Sequence, residues 1–559
     1  MLLIDLIRNL FRLLANLLAA IAGPGAEYVV LDLAGAYPER RRALRRRLFS
    51  SREILSLEGP AESLEELRAT LDRLSVAPSV RGVIVRVGEL GGATATVQRL
   101  REALLATRRA GRRVVAYLTV IGLPQYYLAT AADEILLPES ASVAITGPRV
   151  EVTFFRAAFD RLGIAPEFDS IAEYKTAADP LRRATMSETH REMVDALLDS
   201  VLGQIVDDVA AARRISPASV RAAIDRAPLT AAEALEAGLV DAVLYEDDLP
   251  SRLAVDGRPA RLAPWAQARR RVPWPYEWKS ARELIAVVTL RGAIVPGESR
   301  DFPAPLPLVG RHLAGAATIA RAFRAVERIR RARAVVFVVD SRGGSALGSD
   351  LIWREVERIK RGRPVVVFMG DVAGSGGYYV SAGANQIIAS PSTITGSIGV
   401  VEGKLVFADL YERYGLHREI LARGVTATIP SGFAHLNETE WHRMRAEMAD
   451  IYVRFKRRVT EGRNRSEREI EAIARGRVWT GRQALERGLV DELGDFALAV
   501  RRARELAGIP EDRPVTVATV RPPRAAPSPT FAPAGALAET LAGLGQVRAL
   551  AEERALLVM

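Results

Sequence analysis

The strongest constraint on the fold is that the chain contains itself twice. "RGVIVRVGELGG" at 81–92 parallels "RAVVFVVDSRGG" at 333–344, placing Gly91-Gly92 and Gly343-Gly344 at an offset of 252. Tyr126-Tyr127 and Tyr378-Tyr379 share that offset, as do Phe155 and Phe407, and Gly163 and Gly415. "ALEAGLVD" at 234–241 matches "ALERGLVD" at 484–491 at an offset of 250. A repeat this long is domain-sized, and 559 residues exceed one ordinary domain. The expected organisation is an N-terminal helix at 1–25, one repeat at 26–250 and a second at 284–508. A Pro-, Trp- and Arg-rich linker at 251–283 joins the repeats, and a Pro/Ala-rich linker and tail follow at 509–559.

Within each copy, apolar β-rich runs end in glycine turns that open helical patterns. "AVVFVVD" leads through "SRGGSALGS" to "DLIWREVERIKR", and "PVVVFM" leads through "GDVAGSGG" to "YYVSAGA". Strand, glycine turn and helix in repetition predict an α/β domain with a largely parallel sheet. Ligands of such domains sit at the C-terminal ends of the strands, where these turns fall.

Charge and composition narrow the chemistry. Seventy-eight basic against 67 acidic residues leave +11, which suits an anionic membrane surface or nucleic acid. The sequence lacks the aromatic-basic interleaving and motifs of nucleic-acid binders, so the membrane is the better match. There are no cysteines, which excludes disulfides, thiolate metal sites and cysteine nucleophiles. Only Lys175, Lys279, Lys360, Lys404 and Lys456 are lysines, against 73 arginines. A surviving lysine is then either accidental or at a position where arginine, which cannot give up its proton, would not serve.

"MLLIDLIRNLFRLLANLLAAIAGPG" opens the sequence, with Asp5, Arg8, Asn9, Arg12 and Asn16 forming one polar stripe and leucines the remainder. A spanning helix needs ~20 mostly apolar residues. Three charges in the first dozen predict instead an amphipathic helix lying on a bilayer, or one packed on protein. The clusters Arg40–Arg42 and Arg45–Arg47 would favour anionic lipid or form a solvated helix face.

Ser375 falls between a strand end and a helix start, where backbone N–H groups are unpaired. Gly374, Gly376 and Gly377 clear space around it, and Gly343-Gly344 could aim a second N–H at the same place. The alternative is a helix-capping serine. At offset 252 the first copy has Leu123, Pro124 and Gln125 where the second has Ser375, Gly376 and Gly377. One copy thus has the hydroxyl and its glycines while the other keeps only the framework.

A serine nucleophile needs a base. Histidine is the usual one, but none lies between His312 and His417, and His190, His435 and His442 stand in polar helical stretches that read as surface. Lys175 lies in "SIAEYKTAADP", among small and apolar residues, and the matching "ARGVTATIP" has no lysine. The first copy has a lysine without the serine, the second the serine without the lysine. That complementarity is expected if one site draws on both copies; the alternative is a surface lysine in a loop.

Several spaced motifs occurring in order, "DSRGGS" (340–345), "AGSGGYYVSAGANQIIASPSTITGSIGV" (373–400), "EYKTAADP" (173–180) and both "GLVD" ends, resemble the bacterial signal peptide peptidase A family in its long, two-repeat form. The likeness covers about residues 27–508. It implies two tandem Clp protease/crotonase-like domains and a Ser–Lys dyad. In that dyad Ser375 is the nucleophile, Lys175 the general base and Ser397 the residue orienting the lysine, with Gly344 and Gly376 as oxyanion donors. It further implies a serine endopeptidase without metal or other cofactor that degrades cleaved signal peptides and other apolar peptides. Such enzymes assemble as homotetramers at the bacterial inner membrane with their catalytic domains on the periplasmic side. Arg342 departs from the family's usual proline, which would leave the oxyanion turn less rigid. A crotonase-like acyl-CoA enzyme and a non-catalytic membrane scaffold are the competing readings.

Overall fold

Both repeats build the same sheet from the same sequence positions. The structure, a computed structural model of the chain, describes residues 2–21, 25–40, 62–254, 256–274, 276, 281–306, 310–522 and 555–558. The basic clusters from Arg41 onward and residues 523–554 of the tail lie outside the described residues. The chain divides into two compact units, one of residues 1–149 and 201–281, the other of 150–200 and 282–559. The boundary does not follow the repeats, because 150–200, which carries Lys175, packs with the second unit.

In the first unit the strands run in the order Ala242–Val243, Glu134–Leu137, Arg113–Leu118, Gly82–Gly91, Tyr28–Ala36, Leu262–Pro264, all parallel. Near-continuous Val, Ile and Leu make these strands fit for burial on both faces, and apolar clusters cover the two sides. Residues 251–283, expected to link the repeats, also close this sheet. Leu262–Pro264 adds its last strand, and Trp274 stacks on the Arg73 guanidinium at 3.7 Å.

The second unit has the corresponding sheet, ordered Val478–Thr480, Ile394–Gly396, Val365–Gly374, Ala332–Ser341, Glu283–Arg291, Val515–Thr519, with Gln386–Ala389 pairing on Val365–Gly374. The repeated "GLVD" has the same use in both units. Asp241 accepts the Ile135 N–H and pairs with Arg213; Asp491 accepts the Ile387 N–H and pairs with Arg463. The first tyrosine of each Tyr-Tyr pair bonds the carbonyl of the matching leucine, Tyr126 to Leu239 at 2.8 Å and Tyr378 to Leu489 at 2.9 Å. The repeat is therefore a repeat of packing constraints, a parallel α/β core made twice.

The second unit also holds a seven-stranded sheet, ordered Arg300–Leu306, Gly310–Gly315, Ala293–Val295, Gly343–Ser345, Ala555–Val558, Val400–Val406, Ala165–Ile171. Its last pair, antiparallel over seven residues from Val400 opposite Ile171 to Val406 opposite Ala165, brings the segment before Lys175 beside the segment after Ser397.

No helix among the described residues is long and apolar enough to cross a membrane. In Leu2–Ile21 the described polar positions are the more covered ones, Arg8, Arg12 and Asn16 being half-buried. Asn9 is buried, and the Asn16 amide exchanges hydrogen bonds of 3.0 and 2.8 Å with the Trp274 backbone. Leu6, Leu10, Phe11, Leu13, Leu14 and Leu17 are exposed.

Candidate active site

The Val365–Gly374 strand ends at Ser375, and the helix Gly376–Ser381 starts immediately after it. Ser375 has φ 54° and ψ −116°, backbone that a residue with a Cβ rarely adopts. Its hydroxyl makes no cap hydrogen bond, so the helix-cap alternative does not describe it. The strained turn is pinned by the Ser375 N–H, which donates to the Gly396 carbonyl at 2.8 Å. The glycines are required by what they touch. A Cβ on Gly376 would come 2.5 Å from Ser349 Oγ and 3.3 Å from the Gly344 nitrogen, and one on Gly377 2.6 Å from the Ser341 carbonyl oxygen. In the first unit the matching turn opens on Gly122 and carries a proline in its first helical turn, with no hydroxyl.

Lys175 Nζ lies 2.7 Å from Ser375 Oγ and 3.0 Å from both the carbonyl oxygen and Oγ of Ser397. Lys175 is 1 % exposed, Ser375 0 % and Ser397 2 %. All three acceptors are neutral, so no opposite charge offsets the cost of a buried ammonium, and burial holds the Lys175 pKa well below that of an ordinary lysine. The surface-lysine reading is thereby excluded. Ser397 also sits at positive φ, 53°, and its N–H donates to the Arg477 carbonyl at 2.8 Å.

The lysine is held by residues that the sequence reading did not single out. The Tyr174 N–H donates to the Arg475 carbonyl at 3.1 Å, and the Gly476 N–H to the Ile398 carbonyl at 2.8 Å. A Cβ on Gly476 would lie 2.4 Å from the Lys175 nitrogen, and one on Gly399 3.1 Å from Lys175 Cδ. Glycine is therefore demanded where the lysine's backbone and stem pass. The available signal was "TGSIGV" and "ARGRVW", glycines at strand ends with no turn of their own to explain them.

Gly344 lies beside Gly376, with φ 148°, and a Cβ on it would meet the Ile294 carbonyl oxygen at 2.3 Å. The turn that has Arg342 instead of proline is braced by Ser341. The Ser341 hydroxyl donates to the Gly292 carbonyl at 2.6 Å and accepts the Gly343 N–H at 3.1 Å. One histidine differs from expectation. His190, read as surface, is buried, with Nδ1 3.9 Å from an Asp179 carboxylate oxygen, because the helix of Glu188–Arg213 turns it inward; His435 and His442 are exposed.

The family model for peptidase family S49 matches the chain at 106–258 and again at 357–510. The chain belongs to peptidase family S49. This S49 peptidase is 30 % identical over 474 residues to "Serine protease SPPA, chloroplastic" of Arabidopsis thaliana, covering 82 % of this chain and 68 % of that protein. It is 32 % identical over 457 residues to "Protease 4" of Haemophilus influenzae, covering 78 % and 72 % respectively. It is 30 % identical over 499 residues to "Protease 4" of Salmonella typhi, covering 86 % and 78 %. It is a serine-type peptidase of the two-repeat signal peptide peptidase A kind, with tandem Clp protease-like α/β domains, and neither an acyl-CoA enzyme nor a scaffold.

Proposed function

We propose that this S49 peptidase is an endopeptidase working through a Ser–Lys dyad, with Ser375 as nucleophile and Lys175 as general base. The observation that carries the reading is the 2.7 Å approach of a buried Nζ to Ser375 Oγ. A neutral amine has two N–H bonds and one lone pair. With the N–H bonds directed to the two oxygens of Ser397, the lone pair is left for the Ser375 proton, so Ser397 orients the base. Oγ then attacks the scissile carbonyl as Nζ takes its proton. The Gly376 N–H, first in its helix and without an intrahelical partner, and the Gly344 N–H receive the developing oxyanion, each worth ~3 kcal/mol. The proton passes to the leaving amine, and the peptide C–N bond breaks to leave an acyl ester on Ser375. Water, deprotonated by Lys175, hydrolyses that ester and returns the hydroxyl.

The substrates proposed are apolar peptides, cleaved signal peptides among them, which rests on the family resemblance. The helix Leu2–Ile21 supports a membrane-surface location, since its leucine face is turned away from its own protein. A homotetramer at the bacterial inner membrane, with catalytic domains outside the cytoplasm, completes the reading by resemblance. The test is Lys175→Arg, assayed on fluorescein-labelled casein. A guanidinium stays protonated and cannot accept a proton, so hydrolysis should fall to the level of Ser375→Ala. Appreciable turnover in the arginine variant would overturn the dyad.

A further inference from the structure

Arg342 stands in the oxyanion turn without a structural task. The strand Ala332–Ser341 runs parallel to Val365–Gly374, and its last pair sets Ser341 opposite Ala373. Arg342, the next residue, therefore leaves the sheet beside Gly374 and Ser375, at about the ~4.8 Å spacing of neighbouring strands. On its other side Gly343 touches the nucleophile's helix, since a Cβ on Gly376 would come 3.1 Å from Gly343 Cα. The turn keeps its shape through the Ser341 hydroxyl, which bonds the Gly292 carbonyl and the Gly343 N–H. A proline is not needed there, and the side chain at 342 is left over.

Ser341 and Gly343 are buried, whereas Arg342 is exposed. Its guanidinium has no hydrogen-bond, ion-pair or ring partner among the described residues. The other charges around the site are committed. Asp340 accepts the Val372 N–H at 3.3 Å and lies 3.8 Å from Arg291. On the turn that holds the lysine, Arg475 pairs with Glu173, and Arg477 with Glu192 at 2.8 Å. An unpaired cation thus stands where parallel strands present their carboxyl ends, the place ligands occupy in such sheets. A guanidinium is a planar fork of donors that matches a carboxylate with two parallel hydrogen bonds.

We propose that Arg342 is a specificity residue that binds a carboxylate close to the scissile bond. That carboxylate is an Asp or Glu side chain or the free C-terminus of a short peptide. The inference rests on the peptide-hydrolysis reading above and adds a preference to it, for apolar peptides with one anionic group near the cut over uncharged ones. A peptide already released from a longer chain by proteolysis ends in such a group.

The test uses three fluorescently labelled peptides of one short apolar sequence. The first ends in an amide, the second in a free carboxylate, and the third in an amide with one central Asp. In the parent, at least one carboxylate peptide should exceed the uncharged one in kcat/KM by about tenfold. Which of the two does so identifies the source of the carboxylate. Arg342→Gln should bring that ratio to about one, and Arg342→Lys to a value between, because an ammonium is a point charge without the fork. The preference should also shrink in about 1 M salt, where the screening length is ~3 Å. Each ratio is taken within one protein, so a loss of folded material cancels. A second arm needs no turnover. The same peptides are bound to Ser375→Ala, with and without Arg342→Gln, and read by anisotropy. A carboxylate preference that vanishes with the arginine, without hydrolysis by any variant, would uphold the specificity residue and fail the hydrolysis reading. An equal preference in the parent and Arg342→Gln overturns the proposal, read from rates where the peptides are cut and from binding where they are not.

Discussion

Ser375 and Lys175 are each strange alone and sensible together. A serine at φ 54° that caps nothing stores strain, and a lysine with no acidic partner is buried at a cost. Burial without an opposite charge holds the pKa of the Lys175 amine well below the ordinary lysine value. The native state therefore holds fewer protons than the unfolded chain between the lowered Lys175 pKa and the ordinary lysine value of ~10.4. Stability contributed by this group accordingly rises with pH across that window and is fully recovered above it. Lys175→Met should be inactive, and its melting temperature should exceed the parent's by more at neutral pH than at about pH 10. Scanning calorimetry across pH reads this, and a constant difference would contradict the neutral lysine. Ser397 supplies acceptors that favour the protonated amine, so Ser397→Ala should move the inflection of kcat/KM that reports the lysine to lower pH. Misorienting the base should also lower kcat up to ~10²-fold with little change in KM. An unmoved inflection would reduce Ser397 to a packing residue.

At the level of elements, the site is a meeting of strand ends. Val365–Gly374 delivers Ser375, the proposed nucleophile, the loop after Ile394–Gly396 delivers Ser397, and Ala165–Ile171, zipped antiparallel to Val400–Val406, delivers the lysine. The turn Arg475–Arg477 locks them, its Gly476 at φ 80° lying against the Lys175 backbone. Gly476→Ala should therefore disable the enzyme without touching a reacting atom. The new Cβ meets backbone, which cannot swing aside, and positive φ adds about 1–3 kcal/mol of strain. A melting temperature several degrees lower, with turnover lost beyond the loss of folded protein, is the expected result. Full activity at unchanged stability would show that the turn does not position the lysine.

Over the whole molecule, one domain design is used twice but equipped once. The first unit retains the parallel sheet, the Tyr-Tyr pair and the Arg213–Asp241 clasp while Leu123-Pro124-Gln125 replaces the reactive turn. What that unit has in addition is Leu2–Ile21, clamped through Asn16 with its leucines outward. Leu10→Asp combined with Leu14→Asp should abolish co-sedimentation with vesicles of anionic phospholipid while leaving casein hydrolysis unchanged. Retained vesicle binding would place the membrane contact elsewhere.

The sequence by itself determined the doubled α/β core and singled out the serine and the lysine that the fold brings to 2.7 Å of each other. Both follow from local facts: apolar strand runs closed by glycine turns, and one serine and one lysine each present in a single copy. The division of the chain was decided by tertiary structure, because 150–200 pairs through Ala165–Ile171 with a strand more than 200 residues away, and such long-range pairing leaves no local trace. The same holds for Gly399 and Gly476, ordinary glycines until the lysine's backbone is laid against them. It holds also for Ala555–Val558, four apolar residues whose place in the sheet depends on a gap that only the folded strands create.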